Sequence, residues 1–195
     1  MSKLGNVHRV NSTLIDISDA YKVCRRITYI HAKTFYFASR FIPRDKRNAC
    51  YAVYAFCRYV DDLVDVAMEQ GNVTRDDAVR LVSQWRIDLD NIYSSERIVS
   101  SVNTSDAAKH STDVSDRAAI LLAWEDTLSR HHIPRNLPNE LIEGVLMDTS
   151  VTRFESFDDL WTYCYKVASV VGLMTSEIFG YSCETALPRA VDLGI

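Results

Sequence analysis

Three observations predict an all-α fold for this sequence. Apolar residues recur at i, i+3, i+4 and i+7 far more often than in strict alternation. Only 6 glycines and 4 prolines punctuate 195 residues, so the helical stretches between them are long. Serines followed by acidic side chains stand where apolar-periodic runs begin, as helix N-caps do. A chain of this size buries roughly 70% of its unfolded surface, and a single domain over residues 1–195 is expected.

The first helix is predicted from about Ser18 to Arg40, with Ser18 as N-cap and "FIPRD" as its stop. The second covers about Asp45 to Glu69 and ends near Gly71. The third, Arg75 to Tyr93, carries Val79, Leu81, Val82, Trp85 and Leu89 at helical spacing. Residues 94–116, containing "SSERIVSSVNTSDAAKHSTDVS", have little apolar periodicity and are predicted to be an exposed Ser-rich loop or weak helix without chemistry. Helical pattern resumes at "DRAAILLAWEDTLSRHH", breaks at Pro134 and Pro138, and returns with "NELIEGVLM". A long helix then starts at "SFDDLWTYCYKVASVVGLMTSEIFG", where Ser156 is the N-cap and Asp158 and Asp159 complement the positive end of the dipole. The closing "ALPRAVDLGI" opens a further helix and stops, so the chain reads as truncated at the C-terminus.

A net charge of -4, 47% hydrophobic and 25% charged residues describe an ordinary globular protein and argue against nucleic-acid binding. Five widely spaced cysteines without a C-x-x-C pair read as reduced core residues. The polar N-terminus lacks the apolar core of a secretory signal, and no run of about 18 apolar residues offers a membrane span. A cytoplasmic or membrane-surface location follows.

The segment "YAFCRYVDDLVD", Tyr54 to Asp65, raises the functional question. Tyr54, Arg58, Asp61 and Asp65 stand at offsets 0, 4, 7 and 11 and fall in a stripe roughly 60° wide on a helix that is otherwise apolar. Like charges at i, i+4 repel, and Arg58 offsets only one of them. With Asp62 at the edge, about two negative charges remain uncompensated, a state that costs several kcal/mol on burial unless a proton or cation joins it. Oxygen-only ligands favour a hard divalent ion such as Mg²⁺, completed by water and substrate phosphates. The competing reading is a solvated helix face with ordinary i, i+4 pairs.

From His31 to Asp65, "HAKTFYFASRFIPRDKRNACYAVYAFCRYVDDLVD" resembles the opening motif of the squalene/phytoene synthases, the head-to-head prenyl diphosphate synthases. "LIEGVLMDTSVTRFESFDDLWTYCYKVASVVGLMTSEIFGY", Leu141 to Tyr181, is similar to the family's central segment. The resemblance implies an isoprenoid synthase-type helical fold around an apolar cavity with aspartates at its mouth. It implies that Asp61 and Asp65 bind Mg²⁺, with Mn²⁺ as a substitute. Arg58, Lys33, His31 and Thr34 would contact diphosphate oxygens, and Tyr54 would lie beside the reacting carbons.

Tyr165, Ser169, Gly172 and Ser176 repeat the 0, 4, 7, 11 spacing, and below the tyrosine that face is nearly bare. It reads either as a groove for a polyprenyl tail, with the Tyr165 ring stabilising a carbocation, or as a face for close helix packing. Glu155 and Asp159 read as helix-capping residues, His131 and His132 as surface, and Asp148 and Arg153 lie in the central motif without a defined role.

The implied reaction joins two prenyl diphosphates through a cyclopropylcarbinyl diphosphate. "GLMTSEIFGY" and "RYVDDLVD" look more like phytoene synthases, which implies two geranylgeranyl diphosphates. The alternatives are a C30 enzyme forming presqualene diphosphate, squalene or dehydrosqualene from farnesyl diphosphate, with NADPH only if squalene forms, and a catalytically silent relative acting in assembly. The family's second aspartate-rich motif has no counterpart here, so the sequence is expected to be an N-terminal portion lacking half of its metal site.

Overall fold

Ala20, Cys24 and Thr28 recur at helical spacing and are buried, which seats α1 (Ile17–His31) against the elements that follow it. The computed structural model describes residues 15–70, 74–94 and 111–195. Further elements are α2 (Lys33–Ala38), a 3₁₀ turn at Ser39–Phe41, α3 (Arg44–Gln70), α4 (Arg75–Tyr93), α5 (Ser111–Arg130) and α6 (Asn136–Asp148). A final group follows: α7 (Phe157–Cys164), a π turn (Tyr165–Ser169), α8 (Val170–Phe179) and α9 (Ala186–Gly194). No strand occurs among the described residues, and no helix is long and apolar enough to cross a membrane.

α3 is the axis. It packs against α1, α4, α5, α6 and α8, and its Val53, Phe56, Val60 and Val64 are buried. Phe56 lies between two indoles, 5.6 Å from Trp85 of α4 and 4.9 Å from Trp124 of α5, so three long helices meet on one aromatic cluster.

Several expected boundaries are corrected. The first helix does not run unbroken to Arg40: it ends at Ala32, whose φ of -138° and ψ of 64° turn the chain. "ITYIHAKTFYF" is dense in β-branched and aromatic residues that gain little from a helix. The break lets Tyr36 stack on Tyr51 at 5.9 Å and meet Tyr29 edge-on at 5.1 Å. Asp16 precedes the first turn and Ser18 lies inside it. α5 starts at Ser111, within the stretch read as a loop or weak helix, and residues 95–110 of that stretch lie outside the described residues, as does Gly71. Pro138 does not break the chain but sits buried in the first turn of α6, where its missing N–H has no intrahelical partner to lose. Cys24 and Cys50 are buried as expected, but Cys183 is exposed, and all five cysteines are free. His131 is half-buried, not on the surface.

The caps of α4 and α7 are capping boxes. Thr74 accepts from the Asp77 N–H at 3.2 Å, and Ser156 accepts from the Asp159 N–H at 3.1 Å. Gly144 lets the π turn approach α6, because a Cβ there would lie 2.8 Å from both Lys166 Cβ and Val167 Cγ1.

Candidate active site

The acidic stripe of α3 forms as its spacing predicts. Asp61, Asp62 and Asp65 each offer a carboxylate oxygen, all within 4.8 Å of one another. Arg58 donates to Asp61 at 3.2 Å and pairs with Asp62 through Nε at 3.1 Å and through Nη2. Asp65 has no ion-pair partner among the described residues.

Burial raises the Asp61 carboxyl above the usual range, and the charge of Asp65 adds to the effect. Arg58 opposes it without cancelling it. The donor set is therefore one a hard divalent cation fits: three oxygens converging, no nitrogen or sulfur, and more negative charge than the adjacent guanidinium neutralises. The side chains of Asp61 and Asp62 are 42% and 35% exposed, and Asp65 is exposed. The stripe is thus open to solvent on this side.

A fourth carboxylate joins from another element. Asp148 is the last residue of α6, at the negative end of that helix dipole, and its charge acts on Asp61 while it feels Asp65. Its carboxyl is raised mainly by burial and lowered by a hydrogen bond from the Tyr163 hydroxyl. Tyr163, on α7, is pushed up to about 12 by burial and by Asp148. Tyr163 carries no signal in the sequence beyond its place one turn before Lys166. Only the packing of α7 beside the end of α6 brings it to the carboxylates.

Tyr54 is half-buried, its hydroxyl raised by burial, and its ring lies 5.9 Å from Phe35 of α2. That contact links the aspartate helix to the α1–α2 junction, where His31, Lys33 and Thr34 are exposed and make no side-chain bond among the described residues. Tyr165 is half-buried and stacks on Trp161 at 5.7 Å. Arg153 is exposed.

Of the two readings of the small-residue face, groove or close packing, the contacts favour packing. A π turn carries this face from Tyr165 into α8. α9 lies across it. Ser169 is buried and donates to the Val191 carbonyl at 2.8 Å. A Cβ on Gly194 would stand 2.5 Å from Ser169 Cα, and one on Gly172 would stand 3.4 Å from the Ala190 carbonyl oxygen. Close helix packing is what these residues provide.

The squalene/phytoene synthase profile matches residues 30–195. The chain belongs to the squalene/phytoene synthase family. Among curated members, the 15-cis-phytoene synthase of Synechococcus elongatus is 35% identical over 173 residues, 88% of this chain and 48% of that protein. The phytoene synthase of Arthrospira platensis is 34% identical over 163 residues, 84% of this chain and 45% of that protein. The chain thus spans about half the length of these curated relatives. A dehydrosqualene synthase crystal structure superposes with a TM-score of 0.70 at 23% identity, covering 91% of this chain and 53% of that one. The squalene synthase of Alicyclobacillus acidocaldarius gives 0.69 at 24% identity, covering 92% and 59%. Both share the family's all-α isoprenoid synthase-type fold.

Proposed function

We propose that this chain supplies the first aspartate cluster of an enzyme that condenses two prenyl diphosphates head to head, two geranylgeranyl diphosphates giving phytoene. The observation that carries the reading is the convergence of Asp61, Asp62 and Asp65 beside Arg58 in a member of this family. The names of its curated relatives at 35% and 34% identity favour phytoene over a C30 product. The C30 likenesses, at 23% and 24%, speak to fold alone.

Asp61 and Asp65 would hold Mg²⁺, or Mn²⁺ in its place, with Asp62 beside them. The ion would place positive charge on the diphosphate as its bond to C1 of the allylic chain breaks. Arg58 pairs with Asp61 and opposes the pull of burial on its carboxyl. His31, Lys33 and Thr34 would close on the diphosphate from the α1–α2 junction. The double bond of the second substrate attacks the allylic cation, and loss of a proton closes the cyclopropane ring. The Tyr54 and Phe35 rings stand at the site edge, where an aromatic face stabilises a cation and excludes water.

The test is incubation of the full-length protein with geranylgeranyl or farnesyl diphosphate and Mg²⁺, followed by hydrocarbon analysis. A C40 product that disappears with EDTA and in Asp61→Ala is expected. A C30 product would replace phytoene by the dehydrosqualene or squalene reading. No product from either substrate, with the helical content intact, would turn the assignment to a silent assembly factor.

A further inference from the structure

At the opposite end of α3 from the aspartates a cleft of about 950 Å³ opens between α1, the 3₁₀ turn, the start of α3 and the end of α5. Lys22, Arg25, Arg40, Arg44, Arg47 and Arg130 line it, with Asp45 as the one carboxylate among its lining residues. Lys22 is paired with Asp19 at 2.8 Å and Arg130 with Asp126 at 3.1 Å. Four guanidiniums then face one acid, in a protein whose net charge is -4.

Those four are under-used. Arg40 and Arg44 have no side-chain partner among the described residues, and Arg47 reaches only the Arg40 carbonyl, at 3.5 Å. Arg25 is held in place: Nη2 and Nε donate to the Tyr36 hydroxyl at 2.7 and 3.1 Å, and Tyr36 stacks on Tyr51. Tyr51 is itself bonded to Ser39 at 2.7 Å, so one wall is pre-set before any ligand arrives. Arg44 opens α3, a helix of 27 residues, whose positive end adds to the same field.

We propose that this cleft binds a small free anion carrying at least two phosphate groups, such as inorganic diphosphate or a diphosphate ester. Fork-shaped guanidiniums converging from several elements match phosphate oxygens bidentately, and the uncompensated charge of about three matches an ionised diphosphate. The cleft lies about 20 Å along α3 from the aspartates, by the rise from Arg47 to Asp61, so the two sites are separate. The inference does not rest on the condensation reaction proposed above.

Calorimetric titration of the full-length protein with sodium diphosphate in EDTA tests it, because chelation removes the metal that the aspartate cluster needs to hold phosphate. Saturable binding is expected, weakened at least tenfold in Arg40→Gln/Arg44→Gln and unchanged in Asp61→Asn. Arg40 and Arg44 are exposed, so the double variant should fold, which circular dichroism melting checks. Absence of binding at millimolar diphosphate overturns the proposal, as does equal binding by the double variant. Binding to phosphatidylglycerol vesicles that requires Arg40 and Arg44, without binding of free diphosphate, also overturns it, in favour of a lipid surface.

Discussion

Asp61 carries a conflict that a bound cation would resolve. Its carboxyl titrates above its ordinary value because of burial and the neighbouring charge of Asp65. The folded protein therefore holds that proton more tightly than the unfolded chain does, and the ionised form is a liability at neutral pH. The penalty is fully present above the folded value and fades as pH falls through it toward the unfolded value of about 3.9. Asp61→Asn should thus raise the metal-free Tm at pH 7, with the gain vanishing in acid. Since the side chain is 42% exposed, screening limits the gain to about 1 kcal/mol or less. Mg²⁺ should raise the Tm of the parent protein and leave that of this variant unchanged. A thermal melt with and without metal checks both, and an unchanged Mg²⁺ response would remove Asp61 from the metal site. Tyr163 acts one step away. Its hydroxyl lowers the Asp148 carboxyl, so Tyr163→Phe lets Asp148 protonate at higher pH. With less negative charge beside Asp61 and Asp65, Mg²⁺ affinity in mild acid should drop, and the acid limit of binding should move upward. Titration across pH reads both effects.

The helices differ in how much of their behaviour is local. α4 and α7 begin where Thr74 and Ser156 can cap, and the acids that complete each capping box stand three residues on in the sequence. Their starts are legible for that reason. The break at Ala32 and the π turn at Tyr165–Ser169 are not, because stacking against Tyr51 and docking of α9 decide them. Contact between α6 and the π turn depends on Gly144. In Gly144→Ala the helix-propensity gain of about 1 kcal/mol competes with overpacking of about 1–3 kcal/mol. With Lys166 Cβ and Val167 Cγ1 both 2.8 Å from the added carbon, overpacking wins. A urea midpoint lower than that of the parent is expected, and an equal or higher one would show that the π turn can yield.

Across the whole molecule, stability and the candidate site share one helix. Phe56 packs into Trp85 and Trp124 on the side of α3 away from the stripe that holds Arg58 and Asp61. Phe56→Ala should cost about 3–5 kcal/mol, because three helices lose their common contact. Chemical unfolding measures it; a cost below about 1 kcal/mol would mean that the indoles close the gap. From sequence alone followed the helical class, the run of α3 from about Asp45 onward and the acidic stripe on one of its faces, because periodicity, caps and i, i+4 spacing act within a single helix. Which residues from other helices meet that stripe followed only from packing. Asp148 and Tyr163 are 83 and 98 residues from Asp65 along the chain, and no local pattern links them. The small-residue face likewise had two uses open to it until α9 settled on Ser169 and Gly172, and contact between distant elements, not spacing within one, made that choice.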